Sequence, residues 1–179
     1  VAGAHVLRSV KAGDVGEDSD VVQAYFQWAC QAGLDASVIR GLFDSDGADC
    51  FSIQRAAWCA AEGGHTDVLD LLASEFDAWI GVDCLVDAAG RGHDTMIDHL
   101  VEKYGVDPNG ADEDGWTALH RAAYSGRVRT VKHLVEKYNV DIHQRKRDGE
   151  TALDSAGKSR VTECADYLRE LMSTRPPPS

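Results

Sequence analysis

Residues 112–126 read DEDGWTALHRAAYSG, a stretch that combines a turn with a short amphipathic helix. Gly115 suits a turn position that needs a positive φ angle, and Thr117 can cap the helix that follows. Leu119 and the Ala pair at 122–123 fall on one helical face. Because alanine is small, this pair lets a neighbouring helix approach closely.

A second helix is predicted after Gly126, which ends the first helix after about two turns. Its apolar residues recur at helical spacing: Val128, Val131, Leu134 and Val135. Residues 138–145 then form a loop back to the next turn. Two short helices and a turn cannot bury their apolar faces alone, so this unit must stack on copies of itself.

The unit repeats with a period of 34 residues. Residues 99–107 read HLVEKYGVD and residues 133–141 read HLVEKYNVD, which are identical at eight of nine positions. A step of 34 also carries the turn at 115–119 onto 149–153, where Gly, Thr, Ala and Leu are kept. A fixed period of this length is typical of repeat architectures.

The stretch at 112–126 resembles the signature of the ankyrin-repeat family, with Ala118 where the family usually has Pro. The resemblance implies that Thr117 and His120 form a hydrogen-bonded clasp at the helix start. It also implies an all-α ankyrin-repeat solenoid of helix–turn–helix units, with about five repeats and degenerate N-terminal units.

We predict a repeat stack over residues 19–172. Its units lie near 19–49, 50–77, 78–111, 112–145 and 146–172. Residues 1–18 are predicted to form an N-terminal helix and an acidic loop, and residues 173–179 a Pro-rich tail. The unit at 50–77 is only 28 residues long, so its return loop should be short. The last unit has Asp154 where His is usual and is predicted to be the C-terminal cap.

Composition excludes several function classes. The 179 residues carry a net charge of −12, which disfavours binding to nucleic acid or to anionic membranes. No apolar run is long enough for a transmembrane helix, so we expect no insertion into a membrane. Residues 1–120 hold 6 Lys/Arg and 22 Asp/Glu, whereas residues 121–179 hold 12 and 8. Such polarity can orient a partner, or it can simply keep the surface hydrated.

The five cysteines are odd in number and form no C-x-x-C pair. This pattern favours free thiols in a reducing compartment. We therefore expect an intracellular location, in the cytoplasm or nucleus, or in an organelle lumen after removal of a targeting peptide. Because the chain begins with Val1 rather than Met, we expect a fragment or a processed N-terminus.

The sequence contains no catalytic or metal-binding motif, and it predicts no cofactor. His99 and His133 recur one period apart, as do Tyr104 and Tyr138, so we expect structural roles for all four. One alternative is an enzyme that uses Cys and His on a helical scaffold. A cleft holding a Cys of lowered pKa beside a His would favour that alternative.

The resemblance places partner-binding residues in a concave groove, at the turn tips and on the exposed side of the first helices. The residues at these places are Glu113, Asp114, Trp116, Tyr124, Ser125, Arg91, Arg147, Glu150 and Lys158. Trp116 and Tyr124 are expected to be binding hot spots, since large aromatics with a polar tip are common there. Packing of Trp116 against its own turn is the alternative.

A basic triplet at 145–147 is predicted at a turn tip. With Lys158 and Arg160 it could bind an acidic segment of a partner, or it could be a hydrated turn.

The sequence therefore predicts a non-enzymatic module that binds a partner protein through the groove, as an adapter, a scaffold or a subunit of a larger assembly. The irregular unit lengths favour a surface adapted to one fixed neighbour. An inhibitor or regulator that occludes a partner enzyme is the alternative within this class.

Overall fold

The computed structural model describes residues 27–35, 37–40, 50–159 and 161–175. The helix predicted within 1–18, Arg160 and the tail beyond 175 lie outside the described residues, as does much of the unit at 19–49. Helical segments at 27–31 and 37–40 come first. The helices that follow are α1 (Cys50–Gly63), α2 (Thr66–Glu75), α3 (Val82–Arg91), α4 (Asp94–Tyr104), α5 (Ala118–Tyr124), α6 (Val128–Tyr138), α7 (Ala152–Gly157) and α8 (Thr162–Thr174).

The helices form pairs that stack along one direction. Each first helix (α1, α3, α5, α7) packs against the second helix that follows it. Neighbouring first helices also pack on one another, α1 on α3, α3 on α5 and α5 on α7. The described residues contain no β-strand, so the predicted all-α repeat stack is confirmed.

Small residues make the close approach of the first helices possible. The Ala pairs at 60–61, 88–89 and 122–123 are completely buried, and Ala156 is 1% exposed. The second helices supply larger core residues, among them Leu72, Ile97, Leu100, Leu134 and Leu168. This division of small and large side chains follows the spacing read from the sequence.

The turns before α5 and α7 have the same construction. Isolated bridges join Ala111 to Thr117 and Arg145 to Thr151, one period apart. Gly115 has a φ of +83°, and a Cβ there would lie 2.8 Å from the backbone nitrogen of Arg147 in the next turn. Glycine is therefore required at this position both by its backbone conformation and by the neighbouring repeat.

The turn before α3 differs from these two. It spans only residues 76–81, whereas the loops before α5 and α7 span 105–117 and 139–151. The short return loop predicted for this unit is thus confirmed. Gly81 aligns with Gly115 but has a φ of −137°, and Asp77 instead takes a positive φ of 52°. The shorter loop therefore follows a different backbone path.

The clasp implied at the start of α5 is present. Thr117 Oγ1 lies 2.8 Å from His120 Nδ1 and accepts a hydrogen bond from the His120 backbone N–H at 3.3 Å. His120 Nε2 donates to the backbone carbonyl of Glu150 in the next unit at 3.2 Å. Burial lowers the pKa of His120, which keeps the ring neutral and consistent with this pattern. Asp154 in the cap instead forms a capping box with Thr151.

A half-buried carboxylate on α2, Asp70, links α2 to α4 through a set of contacts that we call the clamp. Asp70 Oδ1 accepts hydrogen bonds from His99 Nε2 at 2.7 Å and from the Tyr104 hydroxyl at 2.6 Å. Lys103 Nζ lies 2.7 Å from Asp70 Oδ2. Burial alone would raise the pKa of Asp70, but the hydrogen bonds from Lys103, Tyr104 and His99 outweigh it and lower the pKa to about 2.

The same clamp links α4 to α6. Asp98 Oδ1 accepts from His133 Nε2 and from the Tyr138 hydroxyl, both at 2.6 Å, and Lys137 Nζ lies 2.8 Å away. The structural roles predicted for the recurring His and Tyr residues are therefore confirmed. They tie each second helix to the one before it.

The clamp changes at the last junction. One period after His133 the chain carries Tyr167, and one period after Asp98 it carries Lys132. Lys132 Nζ lies 5.4 Å from the Tyr167 ring centroid, and the Tyr167 hydroxyl donates to Glu136 at 3.3 Å. A cation–π contact thus replaces the carboxylate clamp where the stack is capped.

Replacement of Asp98 by Asn tests the clamp. The amide loses the ion pair and part of the hydrogen bonding, so Asp98→Asn should lower the free energy of unfolding by about 1–3 kcal/mol at pH 7. Because the clamp lowers the pKa of Asp98 to about 2, this stabilisation is present above about pH 4 and is lost as the pH falls towards 2. Urea unfolding from pH 7 to about pH 3 should show the two proteins converging.

The matched control is Asp166→Asn, since Asp166 is exposed and pairs with the exposed Arg169. This control should change stability by no more than about 0.5 kcal/mol. Equal effects of the two substitutions at pH 7 would contradict a structural role for the clamp.

Candidate functional site

The first helices and the turns before them line a surface with two adjoining clefts, which we call the groove. On α3, Asp83, Asp87 and Arg91 follow at intervals of four residues and so share one helical face. On α5, Arg121 stands one period after Asp87. Asp87 and Arg121 thus differ in charge at one repeat position, whereas the Ala pairs at 88–89 and 122–123 beside them are the same, so the groove carries what distinguishes these units from one another.

The first cleft, here called the acidic cleft, has a volume of about 250 Å³. It lies where α1, α3 and α5 meet the turn before α5. The residues lining it are Trp58, Asp83, Val86, Asp87, Asp112, Asp114, Trp116 and Arg121. Four carboxylates, one guanidinium and two indole rings thus line this cleft.

The surroundings of Asp87 in the acidic cleft shift its pKa. Burial raises its pKa to about 6, and the carboxylates of Glu62 and Asp83 add to this effect while Arg121 opposes it. Burial also raises the pKa of Asp83, and the neighbouring charges of Asp112 and Glu113 raise it further. The groove therefore holds carboxylates in an environment that disfavours their ionisation.

The second cleft, here called the arginine cleft, has a volume of about 280 Å³ and shares Asp87 and Arg121 with the first. The residues lining it are Glu62, Asp87, Gly90, Arg91, Arg121, Tyr124, Ser125 and Arg127. Arg91 Nε donates to Glu62 Oε1 at 2.8 Å, and Arg127 Nε donates to the Gly90 carbonyl at 3.0 Å. Two of its three arginines thus already have partners.

The two predicted aromatic hot spots differ in exposure. Tyr124 is 45% exposed, whereas Trp116 is half-buried. The Trp116 ring meets the Tyr124 ring edge-on with centroids 5.5 Å apart, and Lys146 Nζ lies 4.1 Å from its centroid. Trp116 therefore also supports the turn of the next unit, whereas the alternative for this residue was packing against its own turn. Tyr124 offers the freer aromatic surface.

The basic triplet at 145–147, for which the sequence left open an acidic-segment site or a hydrated turn, does not present three open cations. Lys146 is buried, and its ammonium lies 2.9 Å from both Asp148 Oδ2 and Glu150 Oε2. The two carboxylates of the same turn thus balance its charge, and the ammonium also lies against the ring of Trp116. Arg145 donates to the carbonyl of Gly149 at 2.7 Å, and Arg147 is exposed.

The clefts bring together five of the nine predicted partner-binding residues. Asp114 and Trp116 line the acidic cleft, and Arg91, Tyr124 and Ser125 line the arginine cleft. The other four residues, which line neither cleft, are Glu113, Arg147, Glu150 and Lys158. Glu113 and Arg147 are exposed at turn tips, and the exposed Lys158 pairs with the half-buried Glu150.

Sequence reasoning missed six of the eight residues that line the acidic cleft: Trp58, Asp83, Val86, Asp87, Asp112 and Arg121. The signal was available, because Asp87 and Arg121 occupy one repeat position and differ in charge. It also missed Trp79, which is 64% exposed in the turn before α3. Trp79 stands one period before Glu113, so the same reasoning that selected Glu113 would have found it.

The thiols that the structure describes lack the environment of a nucleophile. Burial raises the pKa of Cys84 to about 12 and also raises that of Cys59. A nucleophilic cysteine requires the opposite shift. The described part of the chain also holds no group of three or more His, Cys, Asp or Glu side chains arranged to bind a metal ion.

Comparison with protein families identifies three copies of the ankyrin repeat over residues 85–174. The chain belongs to the ankyrin-repeat family, whose members are typically non-enzymatic modules for protein–protein interaction. A search of curated proteins finds no match. Among the described residues no helix is both long enough and apolar enough to cross a membrane.

Removal of the Asp87 charge should stabilise the fold. Because burial raises the folded-state pKa of Asp87 from 3.8 to about 6, the stability of the wild-type protein falls as the pH rises through this range. The stability of Asp87→Asn should not fall with pH in this way. The substitution should raise the free energy of unfolding at pH 7 by about 1 kcal/mol, less than the full shift implies because the side chain is partly exposed.

Urea unfolding at pH 4 and pH 7 measures this difference. The matched control is Glu163→Gln, which removes one exposed negative charge from the first turn of α8 and should slightly lower stability at pH 7, because a carboxylate there interacts favourably with the helix dipole. If Asp87→Asn is less stable than the wild-type protein at pH 7, the electrostatic account of the groove is wrong.

Proposed function

We propose that this protein is a non-enzymatic interaction module that binds a segment of a partner protein in the groove. The observation that carries the proposal is the pair of adjoining clefts, which share Asp87 and Arg121 and are lined by charged and aromatic side chains. Such lining suits protein recognition, in which aromatic and arginine residues contribute much of the binding energy.

The proposed mechanism is preorganisation. The first helices that carry the groove residues are packed through buried Ala pairs, and the second helices are tied by the Asp70 and Asp98 clamps. The groove side chains are thus held in place before the partner arrives, which lowers the ordering cost of binding. An adapter, a scaffold and a fixed subunit of a larger assembly would all use this mechanism.

The state of the thiols supports two further parts of the proposal. The raised pKa values of Cys59 and Cys84 disfavour the alternative of a Cys-dependent enzyme. Cys30, Cys59, Cys84 and Cys164 are all free, as expected in a reducing intracellular compartment.

The test uses Tyr124→Ala, because Tyr124 lies at the rim of the arginine cleft and its truncation leaves the core intact. A partner is first identified by crosslinking in cells and purified. Its dissociation constant should then rise about tenfold or more for Tyr124→Ala, as expected for an aromatic hot spot. Titration calorimetry gives the measurement.

The control is Arg169→Ala on α8, where Arg169 is exposed and pairs with Asp166. Both variants should unfold at nearly the same urea concentration as the wild-type protein. If Arg169→Ala weakens partner binding and Tyr124→Ala leaves it unchanged, the interface lies on the second helices and the proposed groove interface is wrong.

A further inference from the structure

We propose that the acidic cleft receives a positively charged side chain, arginine or lysine, from a basic segment of the bound partner protein. This inference rests on the proposed function and adds the chemistry of the partner. It differs from one of the two sequence-based alternatives for the basic triplet at 145–147, which was that the triplet binds an acidic segment.

Charge balance is the first argument. The acidic cleft holds Asp83, Asp87, Asp112 and Asp114 against Arg121, and within the described residues none of the four carboxylates forms an ion pair. Many carboxylates elsewhere on the stack are paired, among them Asp70, Asp94, Asp98, Asp148 and Glu150. A partner cation would supply what the cleft lacks, and the net charge of −12 would favour its approach.

The walls of the cleft are the second argument. Trp58 and Trp116 line it, and indole rings attract cations. The Trp116 ring already has Lys146 Nζ at 4.1 Å and Arg121 Cζ at 5.5 Å from its centroid.

Size favours a single side chain. At about 250 Å³ the acidic cleft is smaller than most small-molecule sites, which occupy about 300–1,000 Å³. It adjoins the arginine cleft, with which it shares Asp87 and Arg121. An extended segment could therefore place one basic side chain in the acidic cleft and continue across the groove.

The electrostatic cost of Asp87 agrees with this assignment. A cation bound beside Asp87 would favour its ionised form and lower the pKa that burial has raised to about 6. Binding should therefore release a proton, and the affinity should increase as the pH rises from 5 to 7. The charge of Asp87 thus lowers the stability of the free protein, and the bound partner neutralises this charge.

The experiment measures binding of a defined probe by NMR. The probe is a 12-residue Gly/Ser peptide with two arginines, and the comparison peptides carry citrulline or glutamate at the same positions. Citrulline has the shape of arginine without its charge. The chain has four tryptophans, so the indole N–H signals of Trp28, Trp58, Trp79 and Trp116 report separately on different places.

The arginine peptide should shift the signals of Trp58 and Trp116 more than those of Trp28 and Trp79. Its affinity for Asp87→Asn should be about fivefold lower than for the wild-type protein, and its increase with pH should disappear. The matched control Glu163→Gln removes the same charge outside the groove and should bind like the wild-type protein. The citrulline peptide should bind much more weakly.

Three results would overturn the inference: equal binding of the citrulline peptide, stronger binding of the glutamate peptide, or equal affinities of Asp87→Asn and Glu163→Gln. If any of these occurs while Tyr124→Ala still weakens the partner, the chemistry assigned to the cleft is wrong and the proposed function stands. If the arginine peptide binds through Asp87 but partner binding is indifferent to Tyr124, the cleft assignment stands and the proposed groove interface fails.

Discussion

The close packing of neighbouring first helices through completely buried alanines is the contact on which the rest of the structure depends. A two-helix unit of this kind cannot bury all of its apolar surface by itself, so a neighbouring unit must cover the remainder. The Ala pairs at 60–61, 88–89 and 122–123 bring the helices close enough for the turns to touch as well. The contact between Gly115 and the turn at Arg147 is one result of this approach.

The buried Ala pairs of the first helices and the clamps between the second helices hold the stack together through contacts outside the two clefts. The clamps at Asp70 and Asp98 hold successive second helices together through full sets of hydrogen bonds, and both carboxylates have a lowered pKa. Asp87 shows the opposite behaviour, since burial raises its pKa and no ion pair forms with it in the described part of the chain. A residue such as Asp87, which lowers stability on a scaffold whose clamp carboxylates are fully hydrogen-bonded, is characteristic of a functional site.

The sequence predicted the features that repeat and missed those that need several units at once. The 34-residue period predicted the stack and the structural roles of Tyr104 and Tyr138, and the pattern of residues 112–126 predicted the cap at Thr117. The burial of Lys146 could not be read from a basic triplet, because its surroundings combine Trp116 of one unit with Glu150 of the next. The acidic cleft escaped notice for the same reason, since α1, α3, α5 and a turn all contribute to it.

The central claim is that the groove, rather than the outer face of the second helices, is the binding surface. A photo-crosslinking amino acid placed at Ser125, which lines the arginine cleft, tests this directly against the same residue placed at Arg169 on α8. Both positions are exposed, so the two substituted proteins should fold alike. The account predicts a crosslinked partner protein from position 125 and none from position 169. The same partner crosslinked from position 169, with none from position 125, would contradict it.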